Sequence, residues 1–287
     1  MHKRIATLVI FLALALSGSA RAAELHPPAE VKAGSSFTIA TGGSGQATLY
    51  LIGPYSVSKR LVNAGSEVAV EGGEVEHAGR YRAILCAGNC TSADFLVRPA
   101  EAARLSMLVH PSRVPVADVN AISAVTFVFD RFHNLVTAPT PVEFKVIPKL
   151  GPELSQTRTS DHGVAWVRMT SDRKEGPVKI GAVLGKTSEI RVVQQVAADA
   201  CHLHIKSTPA GHNVLLETDP VRDCAGNSVP DGTVVSFTKV DDRGKTTVDV
   251  PIKKGIAKVE VPVAGTAHIT VASGVVTGNE LSLAGGH

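Results

Sequence analysis

The chain has 287 residues, of which 44% are hydrophobic and only 4% aromatic, and its 26 glycines and 16 prolines are scattered rather than clustered. Removing residues 1–22 takes away Lys3, Arg4 and Arg21 from the 29 basic side chains and none of the 26 acidic ones, so 26 of each sign remain. A neutral chain of this kind has no broad basic field, which excludes nucleic acid as a partner held by charge.

The first 22 residues carry a basic head, Met1-His2-Lys3-Arg4, an apolar run from Ile5 to Leu16, and a small-residue tail ending Ala20-Arg21-Ala22. That order predicts a cleaved export signal over 1–22. The apolar run is shorter than the ~20 residues a spanning helix needs, so no membrane insertion is expected, and no lipid-anchor cysteine sits at the cleavage point.

From residue 23 on, Val, Thr and Ile recur in short alternating runs between Gly, Pro, Asn and Asp, which predicts an all-β chain. In Gly255-Ile-Ala-Lys-Val-Glu-Val-Pro-Val263 the set Ala257, Val259, Val261 and Val263 falls on one face, with Lys258 and Glu260 on the other. Val142-Glu-Phe-Lys-Val146 and Thr266-Ala-His-Ile-Thr-Val271 repeat the pattern. One wet face and one dry face is the pattern of a strand in a β-sandwich.

The first predicted domain, 23–99, holds Gly53-Pro-Tyr55-Ser-Val-Ser-Lys59-Arg60, a loop-like stretch that puts an aromatic beside two bases. Tyr55, Lys59 and Arg60 are therefore candidate partner contacts, although a core tyrosine next to solvated bases would read the same way. Cys86 and Cys90 then flank Ala87-Gly-Asn89 between two strand-like runs. Opposed residues of a hairpin lie within disulfide reach.

Two longer units follow, 100–198 and 199–287, and they repeat each other. Asp130-Arg-Phe-His-Asn134-Leu-Val136, with Thr140, Val142 and Phe144, matches Asp223-Cys-Ala-Gly-Asn227-Ser-Val229, with Thr233, Val235 and Phe237, at a constant offset of 93. Linkers are expected near Arg98–Glu101 and Gln195–Asp199, short enough for a semi-rigid rod. Gly79–Gly88 followed by Thr91-Ser92 echoes Gly176–Gly185 followed by Thr187-Ser188, so 23–99 reads as a shorter relative of the same unit.

Asp223-Cys-Ala-Gly-Asn-Ser-Val-Pro-Asp-Gly-Thr-Val-Val-Ser-Phe237, with Gly255-Ile-Ala-Lys-Val and His268-Ile-Thr-Val-Ala-Ser-Gly274, resembles the bacterial Ig-like repeats of the invasin and intimin type. The resemblance covers 199–287 best, extends to 100–198 and fades over 23–99. His133 stands where the second copy has Gly226, Pro139-Thr-Pro141 interrupts the earlier turn, and Trp166 is not placed as in antibody domains. What the resemblance implies is a surface or periplasmic binding or spacer module built of tandem Ig-like β-sandwiches, not a reaction.

Four cysteines in an exported chain allow three disulfide pairings. Cys86–Cys90 with Cys201–Cys224 is the expected set, the second closing a hairpin around Pro209-Ala-Gly211, while a redox or metal-binding Cys-x-x-x-Cys is the sharper alternative. His202 and His204 fall two apart on a predicted strand and so share a face, with His212 across the turn as a third candidate ligand for Zn or Cu. Asp130/Asn134 and Asp223/Asn227 offer oxygen ligands of the kind Ca²⁺ takes, but the same residues cap turns with their own side chains. Asp241-Asp-Arg-Gly-Lys245 reads as a solvated hairpin tip.

No Gly-x-Ser-x-Gly, His-Glu-x-x-His or phosphate-cradling glycine loop occurs, so neither an enzyme nor a cofactor is expected. The expected partner is a protein or glycan at the cell envelope, met in the periplasm, at the cell surface or outside the cell. Two alternatives remain: self-assembly into a fibre or envelope complex by strand addition, with Glu280–His287 as a terminal strand, and a periplasmic metal-binding protein.

Overall fold

A computed structural model describes residues 24–149 and 151–284; the expected export signal, 1–22, lies outside them. The chain divides into two compact units, cut between Ala100 and Glu101.

In the first unit the strands are β1 Leu25–His26, β2 Glu30–Lys32, β3 Phe37–Thr41, β4 Gly45–Ile52, β5 Val57–Ala64, β6 Glu67–Val70, β7 Gly79–Ala87 and β8 Asn89–Arg98. They form a three-stranded sheet, β1-β3-β6, and a five-stranded sheet, β2-β8-β7-β4-β5. Ile39 and Val70 from one sheet and Leu49, Leu51, Tyr81, Leu85, Phe95 and Val97 from the other are buried, because alternate residues of each strand turn to the same side. Phe95 packs edge-on to Phe37 at 5.4 Å and stacks on Tyr81 at 5.5 Å between centroids. Cys86 and Cys90 are opposed partners at the end of the β7–β8 hairpin, with Cα atoms 4.1 Å apart, and are joined as a disulfide. The loop is tighter than the three residues expected: strand pairing continues to Ala87 and Asn89, and Gly88, at φ +81°, makes the reversal.

The second unit holds two hydrophobic cores. Around the first run β9 Arg104–His110, β10 Arg113–Pro115, β11 Ile122–Phe129, β12 Pro141–Ile147, β13 Leu154–Thr159, β14 Val164–Met169, β15 Gly176–Leu184 and β16 Thr187–Val196. A three-stranded sheet, β14-β11-β9, faces a five-stranded one, β10-β16-β15-β12-β13, across Met107, Ile122, Ala124, Phe144, Ile180 and Val193. Gln195, expected in a linker, belongs to β16 and is buried: its amide accepts from the Asp172 N–H and donates to the Lys174 carbonyl. Here the tertiary contacts of one polar side chain override a linker-like composition.

Around the second core run β17 Ala200–Cys201, β18 Ile205–Ala210, β19 Asn213–Thr218, β20 Arg222–Asp223, β21 Val234–Asp241, β22 Gly244–Pro251, β23 Lys258–Pro262, β24 Ala267–Ser273, β25 Val276–Thr277 and β26 Leu281–Leu283. Sheet β18-β19-β23 packs against β22-β21-β24-β25 across Ile205, Leu216, Phe237, Ile252, Ala257 and Ile269, and β26 adds to β24. Ala257 and Val261 point inward as the alternation predicts. The Cys201–Cys224 disulfide sits beside the β17–β20 pair, with Cα atoms 5.1 Å apart. The hairpin it brackets turns at Gly211-His212, one step later than expected, since Pro209 and Ala210 still pair within β18.

The sequence repeat is a repeat of hydrogen bonds. Asp130 N–H donates to the Asn134 carbonyl at 3.0 Å and Val136 N–H to that of Val128 at 2.9 Å; Asp223 donates to Asn227 at 2.9 Å and Val229 to Val221 at 3.1 Å. His133 and Gly226, the mismatched pair, both take left-handed backbone, φ +68° and +86°. The histidine fits because His, like Asn and Asp, is enriched among the non-glycine residues that take this conformation.

Candidate contact surfaces

Tyr55 lies in the β4–β5 connection and is 82% exposed, its ring edge-on to His77 at 5.1 Å. Lys59 faces the same solvent side along β5, its Nζ 5.6 Å from the centroid of the Tyr50 ring on the neighbouring strand. With Val57, Leu61 and Ile52, all exposed, they form a mixed apolar and basic sheet face. Arg60 does not join them. One position along a strand reverses the side-chain direction, so its guanidinium reaches Glu74 at 2.6 Å and the Ala69 carbonyl, tying β5 to β6 of the other sheet. Burial pushes the Glu74 carboxyl up, but bonds from Arg60, Glu71 and Ser58 outweigh that and hold it below the usual range.

The histidines are not assembled as a ligand set. His202 takes left-handed backbone at φ +59° in a bend between β17 and β18, so the expected strand does not run through it. His204 pairs with Asp219 at 3.0 Å. His212 sits at the far tip of the β18–β19 hairpin, the length of β18 away from His204, or about 20 Å at ~3.3 Å per residue. Among the described residues no group of three or more His, Cys, Asp or Glu is arranged to hold a metal.

The Asp-x-x-x-Asn turns have their oxygens occupied by the protein. Asp130 Oδ1 accepts the N–H groups of Phe132 and Asn134, each at 2.9 Å, and Oδ2 accepts from Asn134 Nδ2 at 2.8 Å. Asp223 repeats this with Ala225 and Asn227 and adds the Ala198 N–H at 3.1 Å. Burial raises the Asp223 carboxyl, and these bonds, led by the Asn227 side chain, outweigh the rise and hold it low. Asn227 also reaches out of its own sandwich, donating from Nδ2 to the Arg173 carbonyl at 2.8 Å. In this copy the turn is a bracket between the two cores of the second unit, a role its sequence does not display.

Asp241 departs from the solvated-tip expectation. Its side chain is shut off from solvent and accepts from Lys239 Nζ at 2.6 Å, while Lys239 also donates to the Pro262 carbonyl at 2.7 Å. The Lys239 bond, with the amides of Ala264 and Arg243, lowers the Asp241 carboxyl. Only Asp242 and Arg243 remain as the tip between β21 and β22.

Sequence reasoning passed over Trp166, the single tryptophan. It is 61% exposed on β14, and cross-strand pairing sets it in a row with Val125 and exposed Leu108. Its strand borders a groove of about 730 Å³ lined by Asn120, Arg158, Asp161, Trp166 and Arg168 among others. An outward aromatic at an even position of an otherwise alternating strand was the available signal. No helix among the described residues is long and apolar enough to cross a membrane.

No known protein-family profile matches the chain, and no curated protein matches it either. Solved structures do. The Escherichia coli adhesin FdeC superposes over 92% of this chain and 96% of its own with a TM-score of 0.61 at 11% identity. Invasin, a bacterial integrin-binding protein, covers 92% of this chain and 59% of its own, TM-score 0.49 and 11% identity. InvD of Yersinia pseudotuberculosis covers 93% and 98%, TM-score 0.48 and 10% identity. The FdeC likeness is a likeness of fold. Sandwich layers, turn chemistry and that superposition define the class: an all-β chain of tandem Ig-like sandwiches, similar in fold to FdeC.

Proposed function

We propose that this is a non-enzymatic, exported Ig-like protein whose three sandwiches, 23–99, 100–198 and 199–287, act as a binding or spacer module at the cell envelope, contacting a protein or glycan. The observation that carries this reading is the superposition on an adhesin along nearly the whole of both chains. Two features agree with it. The sheet faces present side chains suited to contact, with Tyr55 and Lys59 exposed on a partly apolar face, and tyrosine beside a base is a composition common at binding hot spots. The polar clusters are closed networks of structural bonds rather than sites open to a substrate.

The fibre alternative gains nothing from the C-terminal segment, because Leu281–Leu283 already pairs with β24 of its own sandwich. The test is a pull-down from the native envelope with the chain from residue 23 on as bait, run beside a Tyr55→Ala/Lys59→Ala double variant. A partner retained by the parent and lost by the variant supports the reading and places the contact. Retention by neither, with the parent correctly folded, sinks it.

A further inference from the structure

The free edge of β14 places unpaired backbone groups beside the exposed Trp166. In the β14–β11 ladder, Val128 N–H donates to the Gly163 carbonyl at 2.9 Å. Hydrogen-bonding direction alternates along an antiparallel strand, so Ala165, Val167 and Met169 face β11 while Val164, Trp166 and Arg168 turn their N–H and C=O groups to the outside. Val164 is satisfied locally: it donates to the Asp161 carbonyl at 3.0 Å and accepts from the Asp161 N–H at 2.8 Å. Trp166 and Arg168 have no backbone partner on that side among the described residues.

Several other edges carry features of the kind that prevent unwanted pairing. The opposite edge of this sheet is closed by Glu189, whose carboxylate accepts the Met107 N–H at 2.9 Å. Arg60 of β5 occupies the Ala69 carbonyl of β6, β18 contains Pro209, β22 and β23 end in Pro251 and Pro262, and β26 covers β24. β14 has no proline, and a groove runs along it, lined by five consecutive residues of the strand, Val164 to Arg168, and by Arg158 and Thr159 of β13.

The groove also has a charge. Arg158 donates to Gln156 Oε1 at 3.1 Å, and among the described residues neither Arg158 nor Arg168 has a carboxylate within ion-pair distance. Asp161, the acidic residue of the lining, is paired with His162 at 2.7 Å. Two guanidinium groups flank an exposed indole beside unpaired backbone groups.

We propose that the β14 edge captures an extended, acidic segment of another protein by strand addition. The segment's backbone pairs with Trp166 and Arg168, an apolar side chain packs on the Trp166 ring, and a carboxylate meets Arg158 and Arg168. This proposal stands or falls separately from the Tyr55 and Lys59 surface, since it concerns a different sandwich.

Trp166 being the sole tryptophan, its emission reports on this site alone. The chain from residue 23 on is titrated with a capped eight-residue peptide alternating threonine and valine around one central glutamate, and with the same peptide carrying lysine there. A saturable blue shift with the glutamate peptide, at least about tenfold weaker with the lysine peptide, is expected from the loss of charge-assisted bonds. Arg168→Pro removes an outward N–H together with one of the two guanidinium groups and is tolerated at an edge, so it keeps the parent's urea midpoint and abolishes the shift with both peptides. Arg158→Gln/Arg168→Gln keeps the edge and erases the preference between peptides. No shift with either peptide, equal binding of both, or full binding by a folded Arg168→Pro overturns the proposal. So does a shift that follows protein concentration alone with dimer formation in sedimentation, which would give the edge to a second copy of this chain.

Discussion

Gly163 and Gly255 occupy equivalent points of two four-residue turns, Asp161–Val164 and Lys253–Ile256, at φ +85° and +81°. Neither is interchangeable with an L-residue, but for different reasons. A Cβ on Gly255 would meet nothing within 4 Å, whereas one on Gly163 would lie 2.6 Å from Leu135 Cγ. Gly255→Ala should therefore cost about 1–2 kcal/mol from backbone conformation alone. Gly163→Ala should cost about 1–2 kcal/mol more, because it also overpacks. Urea unfolding of the two variants measures the difference, and adding Leu135→Ala to the second should recover part of it. At the same scale, Asp223→Ala leaves the amides of Ala198, Ala225 and Asn227 without their acceptor. Unsatisfied buried donors cost ~1–3 kcal/mol each, so a loss of at least ~3 kcal/mol is expected in the same assay. An unchanged midpoint would mean that the turn is held by its backbone bonds alone.

Among the elements, the two disulfides constrain loops of very different length, with sequence separations of 4 and 23. Loop-closure entropy assigns about 2 kcal/mol to the shorter and about 3.5 kcal/mol to the longer. Replacing Cys201 and Cys224 by Ser should thus lower the melting temperature of its unit more than the same change at Cys86 and Cys90 lowers that of the other. Calorimetry of the two double variants reads both, and the reverse order would show that the short hairpin depends on its staple for more than entropy. These pairings were legible because hairpin spacing and an even count narrow three options to one. The same spacing logic failed for His202 and His204. It assumed that a strand continues through Cys201, whereas a left-handed residue breaks it and Ile205 starts another. Alternation identifies a strand only where the backbone stays extended, and whether it does depends on what the next residues pair with.

At the scale of the whole molecule, three carboxyls around the second core of the second unit sit below their ordinary range. Asp223 is held by Asn227 and neighbouring amides, Asp231 by the N–H groups of Lys254 and then Gly255, and Asp241 by Lys239. A carboxyl lower in the folded than in the unfolded chain contributes stability that is complete above the unfolded value, roughly 3.9 for Asp, and lost as pH falls through the folded value. That core should keep its melting temperature from pH 7 to about 5 and lose it steeply below about 4, and Asp223→Asn should flatten the acid limb. Circular dichroism melts across that range check it, and an acid limb equally steep in the variant would remove Asp223 from the cause.

Composition and alternation by themselves determined an all-β chain, because a two-residue period with scattered glycine and proline leaves no helix worth forming. The offset of 93 determined that two stretches share one turn chemistry, since Asp and Asn four residues apart satisfy the same backbone groups in both turns. Partner choice for each polar group was decided only in three dimensions. Arg60 faces Glu74 rather than solvent, Lys239 beside Asp241 reaches the Pro262 carbonyl, and Asn227 ties one core to the next. Each depends on residues far away in sequence that folding brings within 3 Å, and a linear pattern carries no record of that distance. The open edge at Trp166 belongs to the same class, for an edge exists only by virtue of the strand that does not arrive beside it.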